Sequence, residues 1–343
     1  KQPMPDSIFS LSARDRADFF QAAVARVGRN AILLEKDVWV VWALRALFED
    51  PIGAHLVFKG GTSLSKAHRL IERFSEDVDL THDIRELAAD LLPRGDGGEV
   101  LDIPETRSQI RRVSEAIRNE LLPAWVSGTV APIIRARLAR DGAQAAVEID
   151  GCNLSIRYAQ QDHGQVKSAV LLEFGARATG EPADFHDIAC DSAAAGLDID
   201  LPTARARVMK AERTFWEKAT AVHVFCRSGD PVGDHKARHW YDLERLDANG
   251  VAPRAIADAD LAAQVATHKT AFFRERDQAG AWIDYHGAVG GGLQLVPVGP
   301  HLSELEADYA AMQADGLLPE GALTFATLMA RCGEIERAAN AAR

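Results

Sequence analysis

FKGGTSLSKAHRLIERFSEDVDL, from Phe58 to Leu80, decides the architecture of this chain. An apolar run ends in Gly60-Gly61, a short helix is expected near Thr62 to Glu72, and Asp77 and Asp79 then alternate with Val78 and Leu80. Glycines at a helix N-terminus let backbone N–H groups approach a phosphate. The Thr62 and Ser63 hydroxyls beside them can bind a phosphate oxygen or cap the helix. Residues i and i+2 of a strand share a face, so Asp77 and Asp79 can hold one divalent cation between them. Two carboxylates that close repel unless a cation sits there. Magnesium suits the pair, because it takes one or two carboxylates and completes its shell with substrate phosphates. A phosphate cradle beside a two-carboxylate metal site is what nucleotidyl transfer needs. An ordinary helix cap and a charged turn are the bland alternatives for the two halves.

Working outward, residues 12–27 read as a helix with Ser12 as N-cap and Gly28 as stop, and Ala31 to Phe48 as a second, too apolar to lie free on a surface. HLVF reads as a short buried strand before the glycine pair, and DVDL as the next strand. PRGDGGEVLDI, residues 93–103, reads as a glycine-rich loop, and Pro104 to Arg140 as helix broken near Pro123 and Pro132. Strands return at AAVEID, NLSIRY and SAVLLEFGAR, the last two joined as a hairpin by QQDHGQ. Beyond Pro202 the pattern is almost entirely helical, with a loose patch at residues 287–300. The expected class is α+β: a small mixed-sheet core flanked by helices over residues 1–202, and a helical region over 203–343 that contributes to the active site.

A two-metal centre usually has a third carboxylate. Glu173 is the only acid in the apolar strand VLLEFGAR and is the first candidate, with Glu148 and Asp150 as rivals in a neighbouring strand. It could also serve as base on an attacking hydroxyl. In the helical half, RTFWEKATAVHVF carries an apolar stripe with Arg213, Glu217 and Lys218 on or beside the other face. Lys218 can meet a triphosphate as a point charge, or it is a solvated lysine beside an Arg213–Glu217 pair. In KARHWYDLERL, Arg238 and Asp242 stand one turn apart, which by itself reads as a surface pair.

The formal net charge of −11 argues against a protein that coats nucleic acid by bulk electrostatics, though it leaves room for a local basic groove. Arginines cluster at 107, 111, 112 and 118, again at 135, 137 and 140, and with Lys210 at 205, 207 and 213; solvated helix faces are the bland alternative. No apolar run is long enough to span a membrane and the N-terminus lacks an export pattern, so cytoplasmic residence is expected. Cys152, Cys190, Cys226 and Cys332 are scattered without ligand spacing and read as reduced packing residues rather than a zinc site.

Taken in order, these blocks resemble the AbiEii/AbiGii-type nucleotidyltransferase toxin family, whose members include MenT-like enzymes of the DNA polymerase beta-type superfamily. Its phosphate turn, a lysine-led GGT(S)L, is matched by Lys59 to Leu64, and its metal block, RFSEDIDL, by Arg73 to Leu80 with Val78 for Ile. Glu35 to Asp37 supply its EKD, Glu217-Lys218-Ala219 its EKL, and Arg238 to Leu243 its RDxYDL, with His239 replacing an acid. The resemblance covers roughly residues 30–245, and its first two blocks are the specific ones.

The resemblance implies Mg²⁺-dependent transfer of a nucleoside monophosphate from an NTP to an acceptor, with the tRNA 3′ end as the expected RNA. It implies a toxin of a type IV-like toxin–antitoxin or phage-defence system, with a cognate antitoxin as partner. Asp77, Asp79 and Glu173 are the expected metal ligands; these three with Lys218 and Asp242 form the expected catalytic set, Asp242 orienting Lys218 or the base. Lys59, Gly60, Gly61, Thr62, Ser63, Lys66 and Arg73 form the expected nucleotide-binding set. A module that binds nucleotide without transfer, and a kinase-like toxin that phosphorylates a protein, are the rival readings.

Overall fold

The computed structural model describes residues 6–73, 75, 77–159, 168–228 and 233–342. Phe74 and Glu76 of the metal block, and the expected hairpin tip QQDHGQ, lie outside the described residues. The chain divides into two compact units, one of residues 1–67, 76–102 and 113–208, the other of residues 68–75, 103–112 and 209–343.

In the first unit the local signals act as expected. Helix α1, Ala13–Val27, is capped by the Ser12 side chain, which accepts the Asp15 N–H, and ends where Gly28 turns left-handed at φ 76°. Helix α2, Ala31–Phe48, is capped by Asn30. Thirteen of its residues are buried, Trp42, Leu44 and Leu47 completely. Each such side chain contributes about 1.5–3 kcal/mol relative to exposure.

Strand β1, Leu56–Lys59, leads into helix α3, Gly60–Lys66, and β2, Val78–Asp83, follows. The remaining strands are β3, Ala145–Asp150; β4, Asn153–Tyr158; β5, Ala169–Ala178; β6, Ala183–Ala189; and β7, Thr203–Met209. They form one mixed seven-stranded sheet in the order β3-β4-β5-β2-β1-β7-β6. β1 is antiparallel to β2 and parallel to β7, β2 is parallel to β5, and β4 is antiparallel to both β3 and β5.

Three expectations change. Helix α3 stops at Lys66 instead of running to Glu72, and Arg69 takes a left-handed φ of 54° that no helix accommodates. Pro123 and Pro132 do not break the run at 107–141; each sits just inside an α-segment that follows a π-turn, Ile117–Leu121 and Val126–Val130 respectively. The wider turn relieves the clash between a proline ring and the carbonyl a turn earlier. β6 and β7 were not expected, and β7 extends the sheet past Pro202.

The second unit is helical, with long helices at Ala211–Arg227, Arg238–Ala248, Ala259–Phe272, Pro300–Ala314 and Phe325–Ala341. Its buried indoles are satisfied: Trp216 donates to the Ala255 carbonyl at 2.9 Å and Trp240 to the Leu295 carbonyl at 2.6 Å. No helix among the described residues is long and apolar enough to cross a membrane.

Candidate active site

Strand register assembles the acidic face of the first unit. Lys59 of β1 is the Cα partner of Asp79 of β2, and Asp79 is the partner of Glu173 of β5. Partners in register point to the same side of a sheet, so the three form one row. Asn153 of β4 and Asp150 of β3 extend it. The opposite face presents Phe58, Leu80 and Phe174, also in register and buried. Buried apolar packing on that side fixes which way the carboxylates face, because a one-residue slip would turn Phe58 and Leu80 outward.

Asp79 and Glu173 are one strand spacing apart, about 4.8 Å. Asp150 is three spacings from Asp79, roughly 14 Å, on an edge strand. Glu148, on that same strand, is exposed and paired with Arg157 at 2.6 Å. Of the three candidates for a third carboxylate, Glu173 is the one brought beside Asp79.

The glycine turn packs against the same carboxylate. Gly60 has φ 77°, and a Cβ there would stand 2.0 Å from Asp79 Oδ2. Glycine is therefore required twice, for the backbone angle and for the space. The Thr62 hydroxyl donates to the Asp77 carbonyl at 2.6 Å, tying the turn to the residue that opens the acidic strand. The Ser63 hydroxyl donates to the Gly60 carbonyl at 2.8 Å. Both hydroxyls thus brace the turn, and helix α3 begins at Gly60 and Gly61 with no side chain capping its N-terminus.

Among the described residues no three His, Cys, Asp or Glu side chains close around one metal position. The chemistry of the donors fits magnesium all the same. Asp79 and Glu173 offer hard carboxylate oxygens on one side of the sheet, Asp77 stands one residue before the strand, and Mg²⁺ takes the rest of its shell from phosphates and water rather than from an all-protein cage.

Two members of the expected nucleotide-binding set are committed elsewhere. Lys66 points its ammonium at Asp37 and Asp191, the latter at 2.6 Å, and its side chain is only 9% exposed. Burial lowers and the two carboxylates raise the Lys66 pKa, with the net shift upward. It pins helix α3 to α2, the helix that carries the EKD residues. Asp37 also accepts the Asp191 N–H at 2.6 Å. Arg73, in the second unit, gives Nε and Nη2 to the two oxygens of Asp242 at 2.6 and 2.8 Å.

That second unit holds its own buried cluster. Asp242 is fully buried between Arg73 and the Lys218 ammonium, 2.8 Å away. Burial alone would raise its pKa, but the two cations more than offset this and hold the carboxyl well below the usual range. The Arg238–Asp242 surface pair therefore does not form, and Lys218 is buried rather than solvated. The Arg213–Glu217 pair does form, at 3.3 Å. Next to Asp242, burial, then Lys218 and Arg238, push the His239 pKa well below 6.5.

Sequence reasoning missed Asp191 and Asn153. Asp191 opens a short 3-10 helix, Asp191–Ala195, with no motif to mark it, and Asn153 gains meaning only through its register with Glu173.

A family model described as nucleotidyl transferase AbiEii toxin, Type IV TA system, matches residues 42–331. None of the curated proteins matches the chain. Among solved structures, MenT4, a nucleotidyltransferase toxin from Mycobacterium tuberculosis H37Rv, is similar at 17% identity, covering 93% of this chain and 89% of that one with a TM-score of 0.46.

Proposed function

Because the chain belongs to the AbiEii family of nucleotidyltransferase toxins, we propose that it moves a nucleoside monophosphate from an NTP to an RNA hydroxyl, with the tRNA 3′ end as acceptor. The observation that carries this is the register of Asp79 with Glu173, closed on one side by Gly60. In the reaction the acceptor oxygen bonds to the α-phosphorus, the α–β bridging bond breaks, and pyrophosphate leaves.

Asp77 and Asp79 would hold Mg²⁺, with Glu173 as third ligand. The bound ion supplies charge neutralisation on the transferring phosphoryl and on the leaving group. Glu173 would also serve as base on the acceptor hydroxyl. Gly60 and Gly61 let the backbone approach the β- and γ-phosphates, while Thr62 and Ser63 keep that turn in shape. Lys59, in the same row, offsets anionic charge. In the second unit, Asp242 fixes the Lys218 ammonium in one orientation. Arg73 would act through Asp242, to which its guanidinium is bound. The family also implies a cognate antitoxin for this chain.

Total RNA incubated with each NTP, labelled in turn at the α and γ positions, tests the proposal. Label reaching RNA from the α position alone supports it. Label on protein from the γ position would make the chain a kinase, and nucleotide binding with no labelled product would make it a binding module.

A further inference from the structure

An acidic chain concentrates unpaired positive charge at one point of its helical unit. Residues 274–277 and 281–284 form a small hairpin, bridged at Arg276 and Trp282 and closed by the Asp277 N–H on the Ala281 carbonyl at 2.9 Å. Alternation along the strand places Arg274, Arg276 and Trp282 on one face and Glu275 and Asp277 on the other. Asp277 is turned to Arg227, 3.6 Å away.

On the first face the Arg274 guanidinium carbon lies 3.8 Å, and that of Arg276 3.9 Å, from the centre of the Trp282 ring. Both guanidinium groups thus lie against the indole ring. Trp282 is 47% exposed, so this stack stands in solvent. Arg107 lies close by: it donates to the Thr270 carbonyl at 2.9 Å. Burial, then the like charges of Arg107 and Arg276, lower the Arg274 pKa from its ordinary value. Among the described residues no Asp or Glu forms an ion pair with Arg107, Arg274 or Arg276.

A charge cluster kept free of acids in a chain of net charge −11 repels itself, and only an anionic partner recovers that cost. Stacking on indole uses the guanidinium face and leaves its N–H fork for phosphate oxygens. The outer guanidinium faces are platforms for unstacked bases. An acidic peptide would engage the charge but has no use for two stacked planes.

We infer that Arg274, Trp282 and Arg276, with Arg107, form a docking surface for the phosphate backbone and unpaired bases of an RNA. The inference rests on the RNA-acceptor reading and names the surface that would hold that acceptor. Fluorescence anisotropy of labelled tRNA, titrated with the full chain from about 50 to about 200 mM KCl, tests it. Arg274→Ala/Arg276→Ala is expected to weaken binding roughly tenfold or more and to lower the slope of log K against log salt by about 1.5–2. Arg274→Lys/Arg276→Lys is expected to keep the slope and lose part of the affinity, because charge survives and stacking does not. Wild-type affinity and slope in the alanine variant would overturn the docking surface while leaving an RNA acceptor intact. Failure of the wild-type chain to bind tRNA at the lowest salt would overturn both. Displacement of tRNA by poly-glutamate as readily as by unlabelled tRNA would identify an acidic protein as the partner and overturn the RNA assignment.

Discussion

Replacing Gly60 by alanine probes the site through two costs that can be separated. The first is backbone strain: at φ 77° an L-residue costs roughly 1–2 kcal/mol. The second is steric. The new Cβ would stand 2.0 Å from Asp79 Oδ2, and ordinary contact begins near 3.4 Å, so the carboxylate must retreat by 3.4 − 2.0 = 1.4 Å. A displacement of about 1 Å at a reacting centre costs on the order of a hundredfold in rate. Gly28 provides the control. Its φ is 76°, almost the same, but a Cβ there meets nothing within 4 Å. Gly60→Ala and Gly28→Ala are therefore expected to lose similar stability in urea unfolding, about 1–2 kcal/mol each. Only Gly60→Ala should lose transfer from α-labelled NTP, by about a hundredfold in kcat/KM. If Gly60→Ala keeps activity within about threefold of the Gly28→Ala control, Asp79 does not act from the position described.

Asp242→Ala leaves Arg73 and Lys218 buried without their shared counter-charge and is expected to cost about 3–5 kcal/mol in urea unfolding; a loss under about 1 kcal/mol would contradict that cluster. Lys66→Met, which leaves Asp37 facing Asp191, should lose stability on the order of 3 kcal/mol, while Lys66→Arg should restore stability and leave the KM for NTP unchanged; a raised KM with full stability would return Lys66 to the nucleotide. His223 is buried, its Nδ1 accepts the Gln294 N–H at 3.0 Å, and burial, then Arg227, lower its pKa from 6.5 to about 4. The unfolded chain then binds the extra proton first, so stability falls as pH drops from 6.5 towards 4, by on the order of 3 kcal/mol in total. Melting temperatures across that window should fall in the wild-type chain and flatten in His223→Gln.

What the sequence disclosed was local. Ser12, Gly28 and Asn30 act on backbone groups within four residues, so their helices were legible without a fold. The alternation Asp77-Val78-Asp79-Leu80 was readable because a strand has period two and one face had to be buried. Glu173 could be nominated but not separated from Glu148 and Asp150, since only strand order puts it beside Asp79 and the rivals at an edge. β6, ADFHDIA, carries too much charge and too few buried positions to stand out, and β7 has alanine at two of its buried positions. Asp191, one partner of Lys66, and Asp242, the partner of Arg73, lie 125 and 169 residues away, and no spacing rule reaches that far. The sequence placed both cations near phosphate; the fold gave them carboxylates.

The pairing of Asp79 with Glu173 across β2 and β5 is the central claim, and single-turnover transfer from α-labelled NTP in Glu173→Gln, run beside Glu148→Gln, tests it most directly. Glu173→Gln is expected to slow transfer by about a thousandfold at unchanged melting temperature, with Glu148→Gln within about twofold of wild type. Near-normal transfer in Glu173→Gln, or a severe loss in Glu148→Gln alone, would contradict it.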